Sequence, residues 1–442
     1  MVYSIENYGA QQGGTELCTN AIQSAIDDCA AHGGGRVVIP AGTYKIGSLF
    51  LRSHVELHLE HGALLIASDD LGDYNPDDAY PGNHASVLKE GWTAQHLIIA
   101  YDCEDVSITG DGTIDGNGHA FYGEPAPGRP YVWMDGFRLS KAPSYKRPGQ
   151  AIVFIECTKV CVKDITIRNV TCWSLWLYGC NVAAVTGVHI FNDKDCANTD
   201  GIDIDCSSFV TVSDCIFDTG DDAIAIRGAG GYLRKTKEKA CEYVTVTNCV
   251  LGCSASGVRI GVGRGVIQHI QLSHLVVHHS GPVLNILSDW NTGVGTKIRD
   301  IDISDVTAYD ATFPIRITSN EFGSVRDVSI KNFTAQASAA LIVSGARGSL
   351  SGINLKNVNV RYKDLPMELT EEALSLRRMT PAVFEEVQGL RVDGMKLECL
   401  DDTWDGMIRL RHCEGAVLNG LVIGKEASSQ DCTPAAQAAA PY

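Results

Sequence analysis

The sequence contains no run of about 18 apolar residues, so it offers no helix able to span a bilayer. Positive charge is in short supply: 36 Lys and Arg stand against 53 Asp and Glu, for a net charge of −17. That balance argues against nucleic acid and anionic membranes as partners, and an acidic substrate would need a local basic patch. There is no phosphate-binding loop and no dinucleotide fingerprint, so no cofactor is expected. No CxxC pair recurs among the 16 cysteines, and no Cys/His spacing suits a metal, so none is expected either. The cysteines fall inside strand-like runs (Cys161, Cys215, Cys249) and read as buried, reduced, small apolar residues. The opening stretch MVYSIENYGA lacks the basic and apolar regions of a signal peptide, which predicts a cytoplasmic location unless a leader precedes it.

What the sequence does have is a repeated phrase: apolar, any, apolar, any, turn residue, apolar. It reads VSITGD from Val106, VCVKDI from Val160, AAVTGV from Ala183, VTVSDC from Val210 and VTVTNC from Val244. It returns as IQLSHL from Ile270, IDISDV from Ile301, VSIKNF from Val328, INLKNV from Ile353, LRVDGM from Leu390 and AVLNGL from Ala416. Alternating apolar residues mark half-buried strands. The fifth position carries Gly, Asp, Asn or His, which tolerate the left-handed backbone of a tight bend. From Val160 onward the phrases start 23 to 37 residues apart, too close for a strand–helix–strand unit each time. The spacing predicts one coil of a solenoid per phrase, a single-stranded right-handed parallel β-helix in the all-β class.

A solenoid needs its ends covered. Residues 20–31 (NAIQSAIDDCAA) place Ile22, Ala25, Ile26 and Cys29 on one helical face, and three glycines at 33–35 follow. This predicts a capping helix within an N-terminal cap of about residues 1–40. The reading is one domain over 1–442, with a loose tail after about 425 and insertions at 119–150 and 363–385, the second carrying a short helix.

Two phrases depart from the repeat: NTDGIDID (198–205) and TGDDAIAIR (219–227). Matching Ile202 and Ile204 to Ile224 and Ile226 stacks Asp200 on Asp222, with Asp221 beside them. Adjacent strands lie about 4.8 Å apart, so mutual repulsion should raise at least one carboxyl pKa. A donor and an ionised base are what glycosidic hydrolysis requires, with roughly 6.5–9.5 Å between them for inversion. The same alignment predicts an outward column of Trp176, Asp203, Ala225, Arg259 and Asn285, with Ser256 in the acid column. Beside it should run Tyr178, Asp205, Arg227, Gly261 and Leu287. Aromatics would stack on sugar, and arginines would hold carboxylates. The plainer alternatives are solvated Asp turns, Arg227 and Arg259 paired to the aspartates, tryptophans covering a strand edge, or a calcium site.

These phrases resemble the polygalacturonase family, glycoside hydrolase family 28. NTDGIDID is similar to its Asn-Thr-Asp motif and TGDDAIAIR to its Gly-Asp-Asp motif. GTIDGNG (112–118), CWSLWLYGC (172–180) and the opening AIQSAIDDCAAHGGGRVVIPAGTY add to the likeness. The resemblance implies hydrolysis, with Asp221 as general acid and Asp200 and Asp222 holding and deprotonating the water. Two departures stand out. Ala255-Ser256-Gly257 replaces a Gly-His-Gly motif, and Asn285-Ile286-Leu287 replaces an Arg-Ile-Lys motif that would bind a uronate. Arg259, one coil earlier than Asn285, is the compensating cation this reading expects in substrate binding, with Arg227, Asp203, Asn285, Trp176 and Ser256 around it. The expected partner is an oligosaccharide of pectin type, cut from a chain end. A neutral-sugar glycosidase, a non-cleaving carbohydrate binder and a lyase with Arg259 as base stay open.

Overall fold

A computed structural model of the chain describes residues 1–83, 92–124, 146–229, 233–235, 239–289, 293–363, 380–399, 404 and 408–425, and the strand backbone at 131–132, 138–139 and 142–143. Among these, 32 strands join one continuous sheet. Each strand pairs in parallel with its counterpart one coil away, as in Leu175↔Ile202 and Ile202↔Ile224. The fold is a right-handed parallel β-helix. A typical coil carries three strands: Ile202–Asp205, Ser208–Ser213 and Ile216–Thr219.

The alternation seen in the sequence makes the core. Leu175, Ile202, Ile224, Val258, Leu284 and Ile315 stack in register and are all buried. Each such side chain contributes about 1.5–3 kcal/mol by leaving water. The fifth residue of every phrase has positive φ, from 52° at Asn332 to 109° at Gly110. Stacked corners then bond along the axis: Asn332 donates to Asp305 at 2.9 Å, and Asn357 to Asn332 at 3.1 Å.

The cysteines have a related role. Cys157, Cys180 and Cys241 line one inner corner and point their thiols at carbonyls one coil earlier, Ala100, Phe154 and Ile204, at 3.4, 3.2 and 3.5 Å. Ser207 does the same to Leu177 at 3.1 Å. A small side chain with a weak donor suits this corner. Among the described residues every cysteine is free of a disulfide, and all but Cys161 and Cys413 are buried.

Helix α1 (Thr19–Ala31) covers the first coil and buries Ile22, Ala25, Ile26 and Cys29. Gly33 at φ 90° ends it: Gly33 N–H bonds to Ala30 O and Gly34 N–H to Cys29 O. The cap region also contributes strands, since Val2–Ser4 pairs with Arg36–Val38. Within the insertion at 119–150, two short antiparallel pairs stand outside the main sheet, 122–123 with 142–143 and 131–132 with 138–139. The helix expected at 369–379 and the tail after 425 lie outside the described residues, while Ala382–Glu385 is a strand of the sheet.

Candidate active site

The first-strand face of the coils carries the site. Its register runs Trp176↔Asp203↔Ala225↔Arg259↔Asn285, as the isoleucine alignment predicts, and continues to Arg316. The second column holds only in part. Tyr178↔Asp205↔Arg227 pair, but a bulge follows: Ile226 pairs with Ile260 and Gly228 with Gly263, so Arg227 does not stack on Gly261. Two residues, Gly261 and Val262 (φ 70°), stand opposite the single Arg227, while Gly261 keeps its pairing with Leu287.

Asp200, Asp221 and Asp222 come together, with an oxygen of each within 4.8 Å of the others. All three are buried. The wider gap expected for an inverting pair is therefore absent at the nearest oxygens, because the turn before Ile202 stacks Asp200 directly on Asp221 and Asp222 of the next coil. Asp221 accepts backbone N–H bonds from Asn198 at 3.0 Å and Asp222 at 2.9 Å. Asp222 accepts the Ser256 N–H at 2.8 Å, and its other oxygen stands 2.8 Å from Arg259 Nε. One oxygen of Asp200 meets no hydrogen-bond partner among the described residues.

Burial and crowding set the proton affinities. Burial, then the charge of Asp222, push Asp221 up to about 7; Arg259 and the two backbone donors oppose them. Burial, then Asp221, Asp203 and Asp222, push Asp200 well above the usual carboxylate range. These shifts have a consequence for stability. An unfolded Asp221 titrates near 3.8 and the folded one near 7, so folding takes up a proton between those values. The stability this supplies is full below the lower value and is lost as pH rises through the upper one, a swing of about 4 kcal/mol at most. The melting temperature should therefore rise when pH falls from about 8 to about 6, with Asp200 acting in the same direction. A scanning-calorimetry series showing a flat or falling midpoint would mean the cluster is fully ionised in the folded protein.

The remaining expected residues are packed rather than open. Arg227 bonds Asp203 at 3.2 Å, reaches Asp205 at 3.5 Å and lies 4.3 Å from the Trp173 ring centroid. Burial raises Asp203 and Asp205 despite that cation. Ser256 and Asn285 are buried and joined: Asn285 Nδ2 donates to Ser256 Oγ at 2.9 Å, and Asn285 Oδ1 accepts from Arg316 Nε at 3.1 Å. Trp176, expected as a sugar platform, is 3% exposed and stacked on Tyr178 at 4.3 Å. It belongs to a second apolar cluster with Tyr80, Trp92, Trp173 and Leu233, which closes that end of the face.

Several contributors escaped the sequence reading. Arg147 is buried, and its guanidinium holds Asn198 Oδ1 at 2.9 Å, fixing the residue that caps Asp221. Nothing in the Pro- and Gly-rich insertion marks it. Arg316 could have been found by extending the column one coil further. A cation could be offered oxygens by Asp200, Asp221 and Asp222, but the Arg259 guanidinium already shares their charge. A second potential ligand group joins His119 of the 3-10 turn Gly118–Phe121 to Asp193 and Cys196 on the segment that leads into Asn198.

Residues 29–372 match Glycosyl hydrolases family 28. The chain belongs to that family. A probable polygalacturonase of Vitis vinifera is 27% identical over 73% of this chain. An exo-poly-alpha-D-galacturonosidase of Dickeya chrysanthemi is 31% identical over 50% of it. The aligned parts span 64% and 41% of those relatives' own lengths. The family 28 exopolygalacturonase of Yersinia enterocolitica superposes with a TM-score of 0.66 at 19% identity, covering 98% of this chain and 79% of that one. That likeness concerns the fold.

Proposed function

We propose that this family 28 chain hydrolyses a glycosidic bond of a pectin-type oligosaccharide or related plant glycoside. Asp221 gives the proton to the leaving oxygen, and Asp200 and Asp222 hold and deprotonate the attacking water. The carrying observation is the buried triplet itself: three carboxylates within 4.8 Å cannot all ionise, so one keeps a proton near neutral pH. The named activities of the relatives support a galacturonide-like substrate. The apolar cluster around Trp176 covers one end of the strand face that carries the acids, which supports attack from a chain end. A neutral sugar is the second reading, favoured by a specific observation: Arg259 and Arg227, the cations beside the acids, are both engaged by aspartates.

The test is reducing-sugar release from oligogalacturonides, rhamnogalacturonan fragments and neutral plant glycosides, with and without chelator. Hydrolysis of at least one, insensitive to chelator and without an unsaturated product, is expected. An unsaturated product would replace the reading with a lyase, and loss of activity in chelator would put a cation among the acids. Proton NMR of the first product gives the anomer. Inversion is expected with the water held between Asp200 and Asp222; retention would make one of them a nucleophile, as the short spacing of the cluster would allow.

A further inference from the structure

Arg259 sits in the outward column beside the acids, where a substrate-binding cation would be expected. Its surroundings say otherwise. Only 5% of its side chain is exposed, and its Nε lies 2.8 Å from Asp222, whose side chain is fully buried. The other Asp222 oxygen takes the Ser256 N–H at 2.8 Å. Ser256 is itself fixed by Asn285, and Asn285 by Arg316. Asp222 thus takes an amide on one oxygen and faces a cation 2.8 Å from the other, whereas the two hydrogen bonds of Asp221 come from backbone N–H groups alone.

We propose that Arg259 is a positioning residue: its guanidinium and the Ser256 amide hold Asp222 as the ionised member of the cluster, the one that takes the water's proton, and leave Asp221 to carry its own. This rests on the reading of the triplet as the hydrolytic centre. It reassigns Arg259 from substrate binding to charge balance among the acids. A buried carboxylate stays ionised only when a cation and hydrogen bonds replace its lost water. The charged and titratable groups around the guanidinium are Asp221 and Asp222 from the neighbouring coil, Asp200 and Asp203 from the coil before it, Arg227 through Asp203, Cys253 behind Asp222, and, two coils later, Arg316 through Asn285. Arg259 lowers the proton affinity of Asp200, Asp203 and Asp221 together, so its charge acts on the whole set.

The first test needs no substrate. Folded wild-type protein and Arg259→Gln are titrated potentiometrically from about pH 9 to pH 5, with circular dichroism as the check on folding. Without the guanidinium the cluster should hold about one extra proton per chain near pH 7. An unchanged proton count in a folded variant overturns the proposal. The second test uses Arg259→Lys, which keeps the charge and is read even where Arg259→Gln does not fold. On trigalacturonate, or whichever panel glycoside the wild type cleaves, kcat should fall roughly 10–100-fold with KM within about 3-fold. For a folded Arg259→Gln, both limbs of the kcat–pH profile should move to higher pH. A KM raised more than about 10-fold at unchanged kcat would make Arg259 a substrate clamp and overturn the assignment. Should the wild type cleave nothing, hydrolysis fails as the function, while the proton count still decides what Arg259 does.

Discussion

Asp221→Asn is expected to lower kcat about 10³-fold while the protein folds as before, since a positioned acid is worth roughly 10²–10⁴ in rate. The side chain sits where a donor is needed. It is buried, its neighbours discourage ionisation, and its pKa of about 7 leaves much of it protonated at neutral pH. A general acid must carry its proton, so wild-type kcat should decline as pH rises through about 7. An amide cannot protonate the leaving oxygen, and KM should change little because ground-state binding does not use that proton. The fold tolerates the change for a separate reason. The substituted side chain keeps one acceptor oxygen for the backbone N–H groups of Asn198 and Asp222, and the second of these meets an amide nitrogen instead. That mismatch costs about 1–3 kcal/mol. Removing a carboxyl that burial and Asp222 both penalise offsets it, so the midpoint should stay within a few degrees at about pH 7.5 and lose part of its pH dependence. Kinetics on the best panel substrate and a calorimetric scan check both halves. A fall in kcat of less than about 10-fold would remove Asp221 from the acid role.

How much of this was legible in the sequence depended on whether a residue obeyed the repeat. Ile202 and Ile204 had to face inward, and that fixed the register of Asp203, Ala225, Arg259 and Asn285 without any structure. The left-handed corners at the fifth position were equally readable, because Asp, Asn and Gly are the residues that tolerate them. A second set of left-handed corners, just before each phrase, is only partly readable: Asp105, Asp300, Asp327, Gly352, Gly389 and Gly415 are of the tolerant types, but at Lys159, Val182, Phe209 and Tyr243 the chemistry gives no sign of a bend. There the stacking of neighbouring coils overrides local preference. The bulge opposite Arg227 was hidden for a similar reason: its extra residue, Val262, takes a left-handed φ of 70° that a β-branched side chain does not announce. The burial of Trp176 comes from segments far away in the chain, around Tyr80, Trp92 and Leu233, which fold over the strand face. Periodicity gives the face of a residue; what later covers that face is a matter of tertiary packing.

Arg227→Ala should be the most destabilising single change in the site, about 3–5 kcal/mol at about pH 8, because it leaves buried carboxylates without their cation. Asp203 and Asp205 are 0% and 1% exposed, and Arg227 is the charge that lowers both. Its guanidinium also covers the Trp173 ring at 4.3 Å, so part of the loss would be packing. The pH dependence separates the two contributions. Without Arg227 the folded pKa values of Asp203 and Asp205 rise further above their unfolded values. The electrostatic penalty is then small where both acids are protonated and grows as pH rises through those raised values. The gap in denaturation midpoint between wild type and variant should therefore be wide at about pH 8 and narrow at about pH 5. Arg227→Lys keeps a charge but loses the planar fork that reaches two carboxylates, so it should recover only part of the gap. Adding Asp203→Asn and Asp205→Asn to Arg227→Ala should close most of it at about pH 8, since no uncompensated charge is then buried. Equal gaps at both pH values would show that Arg227 stabilises the strand face chiefly by lying on Trp173, and the aspartates beneath it would then be neutral in the folded protein.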